Sequence, residues 1–259
     1  MKLTLLTAAL ALLLSSCSIS DVANAAKNAV HSQQTISSAD SSPLKTVNIK
    51  VSGFKEIEAS RALTVDYIQG PKTQVSLTAP EDIIEYITIE SDGETLDCYI
   101  KDNYQIRSGL DRVRIAVIAP SVREFEASTA STINIGDGYA MPKSSVDLTV
   151  STAATINAAS IISASLGCDA STSGTINAGN LNIGGETEAD ASTSGTIILS
   201  GITASVDFEA STSGTIRAAS LVAKTGSAES STAGTIRCNV ANPTNFSKST
   251  GGSVTNTRK

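Results

Sequence analysis

Apolar and polar residues alternate with a period of two over most of the chain, and this pattern predicts short β-strands. Within residues 206–210, for example, Val206, Phe208 and Ala210 fall on one side and two acids fall on the other. Successive side chains of a strand point to opposite faces of its sheet. The apolar set is therefore predicted to face a core, and the acidic set to face solvent.

A six-residue motif, Ser-Thr-x-x-Thr-Ile, recurs along the second half of the chain. Successive copies begin 23, 20, 21, 19 and 20 residues apart. A unit this short cannot bury its own apolar side, so the copies must stack on one another. Three short strands and three corners per repeat predict an all-β fold, a single-stranded parallel β-helix with coils of about 20 residues. The crossover rule makes the expected hand right-handed. The copies begin at Ser128, Ser151, Ser171, Ser192, Ser211 and Ser231.

The repeats divide the folded part of the chain into two regions. Residues 121–254 hold the regular copies, whereas residues 43–120 carry longer and less regular strand patterns. We expect wide coils and a cap from the earlier region, and a single domain over 43–259. An earlier relative of the repeat supports this, because residues 55–60 (KEIEAS) closely match residues 123–128 (REFEAS).

The N-terminal segment has the pattern of a lipoprotein signal peptide. Lys2 precedes an apolar run over 3–14, and residues 14–17 (LSSC) match a lipobox. The run is too short to cross a hydrocarbon core of about 30 Å. We predict removal of residues 1–16 and acylation of Cys17 by diacylglyceryl and palmitate. An ordinary cleaved signal with an incidental cysteine is the alternative.

The lipid anchor would make the membrane a partner of the protein. In some lipoproteins, an Asp directly after the acylated cysteine signals retention in the inner membrane. This chain has Ser18 at that position, so the outer membrane is the expected location. Whether the protein faces the cell surface or the periplasm stays open. Residues 17–42 are rich in Ala, Ser, Asn and Gln, and we predict that they form a flexible tether.

Composition and charge narrow the function. The net charge of −6 argues against nucleic acid as a partner. The single histidine, His31, lies in the predicted tether, and Cys98, Cys168 and Cys238 alternate with apolar residues as small buried side chains do. A Ser-His or Cys-His nucleophile is therefore not expected. We predict neither catalysis nor a cofactor.

The position two residues before each motif serine forms an outward column that is mostly acidic. Stacked like charges repel, so the column is either a solvated face or a weak, dispersed cation site. The Gly-Gly-x-Gly-x-Asp calcium repeat is absent from the sequence. The column holds Glu58, Glu126, Thr149, Asp169, Asp190, Glu209 and Glu229, and the candidate cation ligands are Glu126, Asp169, Asp190, Glu209 and Glu229.

The second threonine of the motif forms another outward column. Threonine fits a pleated surface and pairs well with itself across strands, which is a structural role. Alternatively, the regular hydroxyls could contact a carbohydrate. The candidate ligand-binding residues are Thr132, Thr155, Thr175, Thr196, Thr215 and Thr235.

With the motif STSGTIN at 171–177, the sequence resembles the head GIN domain family of auto-transporter adhesins, which is common in lipoproteins of Bacteroidetes. Gly174, Ile176 and Asn177 carry the Gly-Ile-Asn signature, and the resemblance extends over about residues 45–240. It implies a β-helical head with an adhesive role and provides no catalytic residues. Asn157 also keeps the signature asparagine, whereas Arg217 and Arg237 replace it in later copies.

Two functions remain open at this point. The protein is either a lipid-anchored adhesin or ligand-binding head, for a carbohydrate or a host or matrix protein, or a structural rod of the cell envelope with no dedicated ligand. Surface exposure with a saturable ligand would favour the adhesin. A periplasm-facing orientation with envelope defects on deletion would favour the structural rod.

Overall fold

The computed structural model describes residues 33–258, which form a parallel β-solenoid of about seven turns with coils of about 20 residues. The predicted all-β solenoid is therefore confirmed. Cys17, the lipobox and His31 lie outside the described residues. Within residues 33–258, no helix has the length and apolarity needed to span a membrane.

The described chain contains nineteen strands and two short 3₁₀ helices, Ile84–Tyr86 and Leu110–Arg112. The strands are β1 (Gln34–Ser37), β2 (Leu44–Ile49), β3 (Glu56–Ala59), β4 (Thr64–Gln69), β5 (Gln74–Pro80), β6 (Ile87–Ser91), β7 (Thr95–Ile100), β8 (Tyr104–Ser108), β9 (Arg114–Ala119), β10 (Glu124–Ala127), β11 (Thr132–Ile135), β12 (Tyr139–Val150), β13 (Thr155–Ala158), β14 (Ile161–Ala170), β15 (Thr175–Ala191), β16 (Thr196–Ala210), β17 (Thr215–Ser230), β18 (Thr235–Lys248) and β19 (Ser253–Asn256).

Each regular coil has three sides. Face A is the stretch before the motif serine, as at 207–210; face B is the stretch that starts at the motif's second threonine, as at 215–218; face C is shorter, as at 221–223. Equivalent residues of neighbouring coils pair in parallel and in register, so that Thr175, Thr196 and Thr215 stack directly. The register predicted from the repeats is confirmed.

The core is a set of inward columns that run the length of the solenoid. On face A, one column mixes large and small side chains, which lets them interdigitate along the axis. An edge-to-face aromatic cluster closes the lower part of the regular region, with the Tyr67 and Phe125 ring centroids 5.2 Å apart and the Phe125 and Tyr139 centroids 5.9 Å apart. The members of this face A column are all buried, and they are Phe125, Leu148, Cys168, Ala189, Phe208 and Ala228.

The first coils do not stack in chain order. Strand β3 pairs with β7 on one side and with β10 on the other. Residues 70–119 include β7 and β9, which stack on the far side of β3 and β4 before the chain returns to β10. Strand β5 runs antiparallel to both β2 and β9, and β6 runs antiparallel to β7. The matching segments at 55–60 and 123–128 are therefore direct neighbours in space.

The folded region begins before residue 43, within the range predicted as a tether. Strand β1 pairs in parallel with β8, so residues 34–37 belong to the fold. The Ser38 hydroxyl donates to a carboxylate oxygen of Asp82 at 2.7 Å, and the Ala39 amide donates to the other oxygen at 3.0 Å. These contacts correct the boundary at 43, and they fix the start of the described chain against the cap.

The corner between faces A and B is a left-handed turn, but its glycine is not the left-handed residue. In the turn at 171–174, Thr172 has φ 45° and Ser173 has φ 64°, whereas Gly174 does not have positive φ. The Gly174 amide donates to the Ser171 carbonyl at 2.8 Å, and the Ser173 amide donates to the Thr193 carbonyl of the next coil at 3.1 Å. Each turn is thus bonded to the turn stacked on it.

In the later copies of the motif, glycine follows the turn because there is no room for a side chain. A Cβ on Gly195 would lie 2.0 Å from the carbonyl oxygen of Ala170 in the coil below, and one on Gly214 would lie 2.0 Å from that of Ala191. Gly195 and Gly214 do not have positive φ, so backbone freedom does not explain the choice of glycine here. Close approach of stacked coils is the physical reason.

We predict that Gly195→Ala destabilises the solenoid by roughly 1–3 kcal/mol, the usual range for an overpacked site. Gly184→Ala is the matched control, because its Cβ would meet nothing nearer than 3.8 Å. Urea unfolding followed by circular dichroism measures both. Equal midpoints for Gly195→Ala and the control would contradict the close approach at this corner.

Candidate ligand-binding faces

Face A carries two neighbouring outward columns of carboxylates. Adjacent members of one column belong to strands about 4.8 Å apart. Gly167 and Thr149 interrupt the first and second columns respectively. The first column contains Glu56, Glu124, Asp147, Glu188 and Asp207, and the second contains Asp97, Glu58, Glu126, Asp169, Asp190, Glu209 and Glu229.

Partial burial raises the pKa of four carboxyls in the second column, Glu58, Asp97, Asp169 and Asp190, and the shift is largest at Glu58 and Asp190. Partial burial, together with the charges of Glu126 and Asp97, raises the pKa of Glu58 to about 7. Partial burial and the neighbouring Glu209 raise the pKa of Asp190 to about 6. Face A thus holds carboxyls that take up protons near neutral pH.

Three carboxylates of face A come close enough to share one cation. Oxygens of Glu56, Glu58 and Glu126 all lie within 4.8 Å of one another. Glu58 and Glu126 also line a groove of about 230 Å³, together with Asp97 and other residues of the first coils. Among residues 33–258, the predicted cation ligands Asp169, Asp190, Glu209 and Glu229 belong to no such group of three. Face A is therefore a charged surface with one tight carboxylate cluster at its lower end.

We predict that the protein is more stable at pH 5 than at pH 8. The folded-state pKa of Glu58 and of Asp190 exceeds the unfolded value, so the folded state binds more protons between about pH 4 and 7. The free energy of unfolding must then fall as pH rises through this window. Melting temperatures across the range test this.

Substitution of the titrating group separates this effect from general charge. Glu58→Gln should raise the melting temperature at pH 8 and flatten its pH dependence, whereas Glu81→Gln, at an exposed position outside face A, should not. Asp82, Asp92 and Asp137 have a lowered pKa from hydrogen bonds, so their stabilisation is lost only in more acidic solution. A melting temperature that rises from pH 5 to pH 8 would refute the prediction.

Face B carries the predicted threonine column. The six threonines stack in register, and Thr64 extends the column below while Ser253 extends it above. Each of the six is half-buried, whereas the first threonine of the motif, such as Thr172 or Thr193, is exposed at the corner. Hydroxyls therefore occupy both face B and its border with face A.

A ladder of asparagine side chains lies beside the threonine column. The Asn177 amide nitrogen donates to the Asn157 side-chain oxygen at 2.9 Å, and Asn157 donates in turn to Asn134 at 3.0 Å. Asn134 donates to a carboxylate oxygen of Asp66 at 2.8 Å. The sequence marked Asn157 and Asn177 as signature residues, but the bonding between them required the register.

A shallow groove follows this ladder along the corner between faces B and C. It encloses about 450 Å³ and is lined by the three asparagines, by Ala158, Ala159, Ala178 and Gly179, and by Ile198 and Ser200 at its upper end. Ile198 stacks on Asn177 and is 36% exposed, so the amide ladder gives way to an apolar side chain at that rung.

Two arginines continue the same column above Ile198. Arg217 stacks on Ile198, and Arg237 stacks on Arg217. Both are exposed, and within residues 33–258 the ion pairs are Lys55 with Glu94 and Arg61 with Asp102, so neither arginine is engaged in one. Face B therefore changes from amides to cations along the solenoid axis.

The three remaining cysteines are free and buried, as predicted. Burial raises the pKa of Cys98 to about 12 and that of Cys238 to about 11, and it also raises the pKa of Cys168. The thiolate is the reactive form of cysteine, so these residues are core side chains and not nucleophiles.

Comparisons with known proteins agree with this architecture. The family model described as "Putative auto-transporter adhesin, head GIN domain" matches residues 53–258. The chain matches no curated protein significantly.

Several crystal structures share the fold. A "putative adhesin" from Bacteroides fragilis NCTC 9343 is 20% identical with a TM-score of 0.60, over 85% of this chain and 99% of its own. A "putative adhesin" from Parabacteroides distasonis ATCC 8503 is 16% identical with a TM-score of 0.71, over 86% and 100%. A "Putative lipid binding protein" from the same organism is 18% identical with a TM-score of 0.62, over 87% and 98%. At these identities the likeness concerns the fold alone.

Proposed function

Because the chain belongs to the head GIN domain family, we propose that it is a lipid-anchored, non-enzymatic adhesin head that holds a carbohydrate ligand on face B. The observation that carries this proposal is the in-register threonine column of face B with the amide-lined groove beside it. Together they present hydroxyl and amide groups at a constant spacing of about 4.8 Å. A polymer with a regular repeat can contact such a surface at several rungs at once.

Face B suits a neutral or anionic polar ligand better than face A does. The strands of face B contain one acid, Asp66, over all their stacked rungs, whereas face A is covered by carboxylates. Amide and hydroxyl groups offer both donors and acceptors, which sugar hydroxyls require. Threonine recurs at the same position of six stacked rungs, so a repetitive ligand can bind through several weak contacts at once.

The N-terminal anchor fits display of this surface. Cys17, the proposed acylation site, precedes the first described residue by a short stretch, and β1 holds the chain against β8 at the capped end. The lipid would therefore attach near the cap and leave the three faces free along the solenoid. Palmitate labelling that is lost in Cys17→Ser tests this anchor.

Protease shaving of intact cells tests the location. With a C-terminally tagged copy, we expect loss of the tag while a periplasmic protein survives as the lysis control. Survival of both, when the released head is itself cleavable, would refute surface display and favour the periplasmic rod. Envelope defects on deletion would then be the expected phenotype.

We predict that Thr175→Val with Thr196→Val spares the fold and weakens ligand binding. Valine keeps the β-branched shape that a strand surface favours but removes the hydroxyl. Adherence of cells to immobilised polysaccharides, together with the melting temperature of the full chain, measures the two effects. Thr149→Val, on face A, is the matched control. Unchanged adherence of the double variant would remove the threonine column from the ligand face.

A further inference from the structure

Building on the proposed function, we infer that the groove of face B binds a linear acidic polysaccharide. The polymer would run parallel to the solenoid axis, with its sugars along the asparagine ladder and an anionic group against Arg217 and Arg237. The ligand is thus an acidic glycan that follows the solenoid axis, and Arg217 and Arg237 select its charge.

The asparagine ladder keeps hydrogen-bonding capacity for a ligand. A side-chain amide has two N–H donors and an oxygen with two lone pairs. Asn157 uses one donor on Asn134 and accepts once from Asn177, so one donor and one acceptor site remain. The ladder also fixes each amide in one orientation, which lowers the ordering cost of binding. Rungs about 4.8 Å apart match roughly one sugar of an extended glycan per coil.

The floor of the groove suits the less polar side of a sugar ring. Ala158, Ala178 and Gly179 are small, so the groove stays open above the backbone, and Ala159 at the corner is exposed. Ile198 supplies an exposed apolar contact at the upper end. A sugar can therefore place its C–H groups against the floor while its hydroxyls reach the amides.

The two arginines define the charge of the ligand. They occupy consecutive rungs of the same column, directly above the groove, and their like charges repel at this spacing. A carboxylate or sulfate placed between them would relieve the repulsion and accept paired N–H donors from a guanidinium. Arg217 and Arg237 therefore form an anion site that continues the polar groove.

The charge distribution over the whole solenoid favours the same face and the same direction. An acidic polymer is repelled by the carboxylate columns of face A. On face B, the single acid, Asp66, caps the lower end of the ladder, opposite to the arginines. The anionic groups of the ligand should therefore concentrate at the upper end of the groove.

Binding to a panel of linear polysaccharides tests the inference. The full chain, in detergent, is titrated onto immobilised polygalacturonate, alginate, hyaluronate and chondroitin sulfate, with methyl-esterified polygalacturonate and dextran as uncharged counterparts. We expect at least one acidic polymer to bind more tightly than the uncharged ones. Loss of the two charge-assisted contacts in Arg217→Gln with Arg237→Gln should weaken that binding roughly tenfold or more.

Two further variants separate the groove from general charge. Lys143→Gln with Lys224→Gln makes the same change in net charge at exposed positions outside face B, and it should leave binding unchanged. Asn157→Ala with Asn177→Ala should weaken binding of acidic and uncharged polymers alike, with melting temperature as the check on folding. Equal losses in the arginine and lysine variants, or binding by no acidic polymer, would overturn the inference.

These outcomes are distinct from failure of the proposed function. If uncharged polymers bind in a manner sensitive to Thr175→Val with Thr196→Val, the adhesin head stands and the acidic ligand is wrong. If no polysaccharide binds and the tag is protected on intact cells, both fail.

Discussion

The in-register stacking of one tight turn on the next is the constraint on which the structure depends. At this corner the backbone of each later coil approaches the carbonyl of the coil below so closely that a Cβ on Gly195 would lie 2.0 Å from it. The turn residues before the glycine take the left-handed conformation, which costs about 1–2 kcal/mol for a residue other than glycine. Hydrogen bonds between successive turns, such as Ser173 to Thr193, offset part of that cost.

A fixed register at the corner fixes every column on the adjacent faces. A slip of one residue would send the apolar set outward, so the core and the turn select the same alignment. Chemistry that occurs once per coil then becomes a continuous line along the molecule. Face A becomes a carboxylate surface on which Glu58 and Asp190 protonate at a pH of about 6 to 7, and face B becomes a line of hydroxyls and amides that ends in two arginines.

The sequence predicts the part of this structure that repeats locally. Inward residues such as Phe125 and Phe208, and the stacking of Thr175 on Thr196, follow from alternation and from the spacing of the motif. The order of the first coils could not be predicted in this way, because they do not stack in chain order: β3 pairs with β7 on one side and with β10 on the other. Asp97, which lies beside Glu58, was missed for that reason.

Other features depended on distances that a sequence does not contain. The glycine after the turn is visible in the motif, but only the approach of Ala170 to Gly195 shows why it is needed. Asn157 and Asn177 were visible as signature residues, but the bonds between their amides require stacked coils. Strand β1 has no motif of its own and is set by its pairing with β8.

The interruptions of a column are more informative about function than its repeats. A uniform ladder stabilises the stacked strands as well as offering a surface to a ligand, since threonine on threonine or asparagine on asparagine stabilises neighbouring strands. Ile198 and the two arginines end the asparagine ladder at its upper end, so the amide hydrogen bonds stop there. Among residues 33–258, neither arginine forms an ion pair that would replace them. Stacking two exposed guanidiniums is unfavourable for the fold by itself. A surface that accepts this arrangement beside an open groove is better explained by an anionic ligand than by the needs of the rod.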